Sequence, residues 1–258
     1  MRAKLYKISV PVLVFLVLNK ILISCEEKNK TLDFIRGKQI EVGTGIEEEP
    51  DVLKLIEPYK ETLDPQINAP LCYNPRSLDK KESALETSLG NLVADESFRV
   101  GDSILRSVKG RGVDFAVLNH GGLRAPLNKG MVTIEDVFQL LPFENRLVIV
   151  ELRPEQIKEL LRYLEAGKRA HPVSGLQIKM KEDKIVEVKI NGEDLDPERS
   201  YYVLTIDYLQ HGGSNMTFLT DPSYLYVSDV KLRDALISGA LTADTVRASL
   251  DGRFLEIR

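Results

Sequence analysis

Apolar residues recur at helical spacing in some stretches of this chain and gather into short runs in others. Around residues 51–62, Val52, Leu53, Leu55 and Ile56 form one side of a helix, and the acidic lead-in Glu47-Glu48-Glu49 suits its positive N-terminal end. Pro65, Pro70 and Pro75 then divide the chain into extended segments. A long helix starts near Ser88, at the position of an N-cap, with Leu89, Leu92, Val93, Phe98, Ile104, Leu105 and Val108 on its apolar face. Gly101 interrupts that face and marks a place for a kink. Residues 113–118 read as a strand, and Thr133 caps a short helix over 134–140 that ends before Pro142. Residues 146–152 read as a second strand, and Pro154 opens a helix that closes near Gly167. Segments 176–180 and 185–190 form a hairpin, and Asn191-Gly192 turns the chain toward a strand over 201–206. Helices around 230–238 and 243–249 end it. Strands and helices mix without strict alternation, which predicts an α+β fold: a mixed β-sheet with flanking helices.

The first residues follow a different logic. Arg2, Lys4 and Lys7 precede an apolar stretch over 8–18, and Leu22-Ile23-Ser24-Cys25 has the form of a bacterial lipoprotein signal ending in the lipidated cysteine. Asn19 and Lys20 interrupt the apolar run, which falls short of the roughly 20 residues a membrane-spanning helix needs. The expected organisation is therefore a signal peptide over 1–25 ending at lipidated Cys25, a polar tether over 26–45 and one folded domain over 46–258. The expected location is the bacterial cell envelope, lipid-anchored on the periplasmic or outer-membrane side. With Cys25 acylated, Cys72, the other of the two cysteines, has no partner and reads as a small buried hydrophobe. The 43% hydrophobic and 29% charged content is that of an ordinary globular chain, and the net charge of −4 gives no reason to expect nucleic acid as a partner. Tryptophan is absent, so any aromatic stacking falls to Phe or Tyr.

The chemistry concentrates where the apolar run Phe115-Ala116-Val117-Leu118 breaks into Asn119-His120-Gly121-Gly122-Leu123-Arg124. Glycines end a strand where backbone must come close to something. Asn119 both donates and accepts hydrogen bonds, and Arg124 offers a planar five-donor fork suited to phosphate or carboxylate. A polar loop at a strand end is where open sheets hold ligands. A Gly-Gly turn beside a surface arginine is the alternative, and this segment alone does not separate the two.

Four further segments accompany the loop: Glu86-Thr87-Ser88-Leu89-Gly90-Asn91-Leu92-Val93-Ala94-Asp95, Leu141-Pro142-Phe143-Glu144-Asn145, Ser174-Gly175-Leu176-Gln177 and Thr205-Ile206-Asp207-Tyr208-Leu209-Gln210-His211-Gly212-Gly213-Ser214-Asn215. In order and spacing the set resembles the C-terminal domain of the 5′-nucleotidase / UDP-sugar hydrolase / 2′,3′-cyclic phosphodiesterase family, from about Glu49 to the C-terminus. The resemblance implies that family's C-terminal-domain fold, in which this domain recognises the substrate nucleoside and a separate N-terminal metallophosphoesterase domain performs hydrolysis. It places an aromatic sandwich for the base at Phe143 and Tyr208, and contacts to base, sugar or phosphate at Asn119, Gly121, Gly122, Arg124 and Ser214. Two departures stand out. Ser214 and Asn215 occupy positions where the family has aspartate and glycine, and Ser83-Ala84-Leu85 lacks the arginine many relatives carry there. A neutral hydroxyl makes a weaker bond than a carboxylate, so affinity for a ribonucleotide is expected to be lower.

A two-metal phosphoesterase needs clustered Asp, His and Asn ligands. This chain has three histidines, and Asn119-His120 mimics the family's Gly-Asn-His motif but has Leu118 before it and Gly121 after it. His120 is therefore assigned to the recognition loop, His171, beside Pro172, to a solvated loop, and Asn91 to helix structure; Glu86 is a structural partner without an assigned place. No catalytic residue, metal or cofactor is expected in this chain, with divalent metals only on a partner, and hydrolysis by this chain alone is not expected. Three readings follow: the recognition half of a split 5′-nucleotidase acting in nucleotide catabolism with a separate metallophosphoesterase, a stand-alone nucleotide-binding lipoprotein, or an interaction scaffold that has lost the site. A neighbouring reading frame encoding only the metal-binding domain would separate the first two.

Overall fold

The computed structural model describes residues 32, 34–41, 43 and 45–257. The signal segment with Cys25 lies outside them. Two compact units divide the chain, Met1–Val52 and Leu53–Arg258. The described part of the first is exposed, with a turn in which Ile46 N–H donates to Gly43 O.

Helix α1, Pro50–Ile67, runs through Pro58 and Pro65, so Pro65 does not break the chain as expected. Each proline withholds one backbone donor, which a helix on the surface tolerates at the cost of one bond per proline. None of its residues is buried, and the predicted apolar side is exposed at Val52, Leu55 and Ile56. Strand β1, Pro70–Asn74, follows. Helix α2, Ser88–Lys109, is capped by Thr87 rather than Ser88: Thr87 Oγ1 accepts from Gly90 N–H at 3.0 Å. Ser88 is engaged elsewhere, accepting from Arg76 Nη2 and donating to Glu82. Gly101 is not a kink; a Cβ there would sit 2.6 Å from Leu204 Cδ1, so glycine lets the helix lie flat on the sheet.

Strand β2, Phe115–Val117, is wholly buried. Strand β3, Gly130–Thr133, pairs with β1, a ribbon the sequence pattern did not show. Helix α3, Ile134–Leu140, carries the predicted Thr133 cap, completed by Asp136 returning a bond to the Thr133 N–H. Strand β4, Arg146–Leu152, and helix α4, Pro154–Gly167, match their predicted bounds. Strand β5, Val173–Ser174, precedes the hairpin of β6, Leu176–Lys181, and β7, Lys184–Ile190, whose turn residues Glu182 and Asp183 both have positive φ. That is the turn geometry whose twist matches paired strands. Asn191 and Gly192 repeat it, at φ 51° and 86°, before β8, Glu193–Asp194. Strand β9, Tyr201–Ile206, is buried along its length and leads into the short helix α5, Asp207–Gln210.

The C-terminal region departs most from expectation. Strand β10, Tyr224–Lys231, occupies the start of the predicted 230–238 helix, leaving α6 as Leu232–Ser238. Residues 243–249 are extended, not helical: Tyr73 N–H donates to Asp244 O and Val246 N–H to Tyr73 O. Hydrogen bonds to β1, distant in sequence, outweigh weak local helix preference there. Strand β11, Phe254–Glu256, ends the chain's described structure.

The central sheet has order β10-β4-β9-β2-β5, with β2 and β9 parallel and the other pairs antiparallel. A second sheet has order β11-β6-β7-β8. Helix α2 lies against the central sheet, and Leu204, Ile149 and Leu147 fill the core between. This is the α+β, mixed-sheet architecture with flanking helices.

Candidate functional site

The parallel pairing of β2 and β9 puts their C-terminal ends on one side of the sheet. From β2 the chain passes to Asn119–Arg124, and from β9 to Tyr208 and Ser214. Strand β4 runs the opposite way, with Leu147 beside Ile206, so the residues entering it, Phe143 to Asn145, arrive at the same end. Three loops distant in sequence thus meet around one cavity of about 310 Å³. Its lining is Asn119, Gly121, Gly122, Arg124, Phe143, Asn145, Tyr208 and Ser214. All seven residues assigned from the sequence are brought together. Asn145 was missed, although it stands in the same motif as Phe143.

The two rings belong to the surface rather than to the core. Phe143 is 48% and Tyr208 49% exposed, in a chain whose Phe115, Phe218 and Phe254 are buried. Tyr208 is fixed at its hydroxyl, which accepts from Ser214 N–H at 3.3 Å. Gly213 packs against it so closely that a Cβ would fall 2.4 Å from Tyr208 O and 2.5 Å from its Cζ. Ser214 and Asn215 both adopt left-handed backbone, at φ 56° and 61°, where glycine is the usual occupant. Ser214 O accepts from the Tyr163 hydroxyl at 2.9 Å, which helps to hold that conformation.

On the opposite loop, Asn119 is buried and its Nδ2 donates to Ser214 Oγ at 3.1 Å, tying the two glycine loops together across the cavity floor. Space is tight at Gly122, where a Cβ would lie 3.0 Å from Asn119 Oδ1, whereas at Gly121 it would meet Asn119 Nδ2 at an ordinary 3.5 Å. Arg124 is anchored by its backbone, N–H to Leu140 O at 2.9 Å, and its guanidinium has no ion pair among the described residues. It is the charged group in a lining whose other members are neutral, so the cavity favours an anion.

The Phe143 loop is held from behind by a residue the sequence did not reveal. Arg233, on α6, is buried; its Nη1 donates to Leu141 O at 3.0 Å and its guanidinium lies 3.7 Å from the centre of the Phe138 ring. Glu144 pairs with both Lys231 and Arg233, whose bonds hold its carboxyl down at about 2. Pro142-Phe143 is thus gripped on either side. Only the tertiary fold reveals this role, since Arg233 sits among ordinary helical spacing.

His171 corrects the sequence reading: it is 6% exposed, not a solvated loop residue. Its Nδ1 lies 3.3 Å from both Leu118 O and His120 N, and its ring packs 5.4 Å from that of Tyr163. Burial pushes its pKa down to about 4, which keeps it neutral at ordinary pH. His120 is half-buried in the recognition loop, with Nδ1 3.2 Å from Ala170 O. Glu86 and Asn91 are structural: Glu86 accepts from Asn91 Nδ2, Asp251 N–H and Gly252 N–H. Cys72 is buried, and that burial raises its thiol pKa. Among the described residues no three His, Cys, Asp or Glu side chains are grouped to hold a metal ion, so the residues present do not fit the two-metal centre of a phosphoesterase.

Comparison with known proteins gives a consistent answer. The family model for the 5′-nucleotidase C-terminal domain matches residues 66–221. The trifunctional nucleotide phosphoesterase protein YfkN of Bacillus subtilis is 29% identical over 196 residues, covering 69% of this chain and 13% of YfkN. Protein UshA of Escherichia coli is 25% identical over 191 residues, covering 70% of this chain and 32% of UshA. The crystal structure of a 5′-nucleotidase precursor from Thermus thermophilus shares the fold, with a TM-score of 0.66 at 24% identity over 81% of this chain and 43% of that one. This chain therefore spans only a fraction of the length of the relatives it matches. With the match extending over most of the folded residues and the mixed-sheet fold shared, the chain belongs to the family of 5′-nucleotidase C-terminal domains.

Proposed function

We propose that this chain is the nucleotide-recognition component of a 5′-nucleotidase-type system. It binds the base of a nucleoside or nucleotide between Phe143 and Tyr208, and acts with a separate metallophosphoesterase chain in nucleotide catabolism. The observation that carries the reading is the cavity at the sheet end, where two half-exposed rings share a wall with neutral amides and a guanidinium that has no ion pair among the described residues. Flat rings stack on any base, and Arg124 supplies the fork a phosphate needs. A volume near 310 Å³ lies at the small end of ligand clefts, which span roughly 300–1,000 Å³, and suits one nucleoside unit. That the relative from Bacillus subtilis is a nucleotide phosphoesterase supports the ligand class. The relatives' greater length supports a division of labour, with hydrolysis assigned to sequence beyond the matched domain.

On this reading the polypeptide is tethered to the bacterial envelope by lipid on Cys25, and the purified chain alone hydrolyses no nucleotide. Calorimetric titration of the wild type with adenosine, AMP and a UDP-sugar tests the binding; saturable heat is expected for at least one. No heat for any of them from a folded protein, alone and with a metallophosphoesterase partner if one is found, would favour the scaffold reading instead. Metal-dependent release of phosphate from AMP that persists through purification would overturn the division of labour.

A further inference from the structure

Tyr163 lies on α4, outside the cavity lining, yet its hydroxyl is bonded to the loop that carries Ser214. Its hydroxyl donates to Ser214 O at 2.9 Å, and the N–H of the same Ser214 donates to the Tyr208 hydroxyl at 3.3 Å. One residue, held at φ 56°, therefore joins the hydroxyl of Tyr163 to that of Tyr208. An L residue keeps such a backbone only where its surroundings over-determine it. The Tyr163 ring cannot swing aside: His171 packs against it at 5.4 Å and Phe218 meets it edge-on at 5.7 Å, both of them buried. His171 in turn lies 3.3 Å from Leu118 O and His120 N, and Asn119 Nδ2 closes the circuit on Ser214 Oγ at 3.1 Å.

We infer that Tyr163 is a positioning residue for the cavity, fixing the Tyr208 ring through the Ser214 peptide. It touches no ligand. The inference rests on the nucleotide reading of the cavity for its effect on binding, whereas the relay itself can be read without a ligand. A flexible Tyr208 would have to be ordered when a base arrives, and that ordering would be charged against affinity.

Tyr163→Phe keeps the ring and removes only the hydroxyl. Amide exchange at Ser214, followed by NMR in the ligand-free protein, is expected to quicken roughly three- to tenfold, the worth of one hydrogen bond. The dissociation constant for AMP is expected to rise by a similar factor, while an unfolding scan shows a folded protein. Unchanged Ser214 exchange would overturn the relay, whatever the ligand does. Faster exchange with wild-type AMP affinity would show a purely structural contact and overturn the positioning role. If the wild type binds none of adenosine, AMP and a UDP-sugar, the nucleotide reading fails and the binding half of this inference fails with it, while exchange still decides the relay; if it binds one of the others, that ligand replaces AMP in the comparison.

Discussion

Replacing Phe143 with alanine removes one face of the cavity with little harm to the fold. The ring is 48% exposed, so about half of a surface of roughly 200 Å² remains for a ligand to cover. At about 25 cal/mol per Å² that half is worth around 2–3 kcal/mol, within the roughly 1–3 kcal/mol per base that stacking contributes. Since about 1.4 kcal/mol is a factor of ten, affinity for AMP should fall by about tenfold or more. Folding should lose less than the roughly 3–5 kcal/mol of a fully buried phenylalanine, because the other half of the ring already faces water. Phe143→Trp should keep most of the affinity. In a chain with no other tryptophan it also gives a fluorescence reporter whose emission changes as a base stacks on it. The assay is calorimetry on the three proteins, with circular dichroism to confirm folding. A Phe143→Ala protein that is folded and binds AMP within twofold of wild type would refute the stacking argument.

Arg124→Ala should weaken AMP more than adenosine, since the guanidinium adds most where a phosphate sits; equal losses in parallel titrations would place Arg124 elsewhere. Ser214→Asp should strengthen ribose-containing ligands by supplying a charged acceptor, and a weaker ribonucleoside in that titration would show that the pocket is not otherwise intact. His171 makes stability depend on pH. Its folded pKa is lowered from 6.5 to about 4, so the unfolded chain binds the extra proton. Stability is thus full above about pH 6.5 and declines as pH falls toward 4, by about 3 kcal/mol in all. Denaturant unfolding between pH 7 and about 5.5, above the 4.5 at which Glu144 begins to lose its contribution, should show the start of that slope, and His171→Asn should flatten it. Cys25→Ser should abolish incorporation of labelled fatty acid in a bacterial host; continued labelling would sink the lipoprotein reading.

Where the sequence was read correctly, a short-range device set the structure. Thr133 with Asp136, Pro154, and the tight turn at Glu182-Asp183 each act over three or four residues, and α3, α4 and the β6–β7 hairpin fall at or close to their expected bounds. Where it was misread, a partner distant in sequence decided. Residues 243–249 have the composition of a weak helix, but Tyr73 offers its backbone bonds and they extend. Gly101 breaks an apolar face only on paper; Leu204, a hundred positions away, fills the space a Cβ would take. His171 looked solvated beside Pro172 because nothing local reports that Leu118, His120 and Tyr163 close over it.

The same division runs through the site. Its lining was legible because each loop carries residues whose chemistry is conspicuous in isolation: a glycine pair, an arginine just beyond it, a ring after a proline. Its supports were not, because Tyr163 and Arg233 stand on helices whose spacing is unremarkable and act through single backbone atoms, Ser214 O and Leu141 O. What converts three separate motifs into one cavity is the sheet order. Because β9 lies parallel to β2 and antiparallel to β4, the exits of the first two and the entrance of the third coincide. Reversing any one of these strands would carry its loop to the far end of the sheet. The strand directions, more than any single side chain, therefore fix the meeting of Phe143, Tyr208 and Arg124, while the loops remain free to change ligand by changing residues such as Ser214.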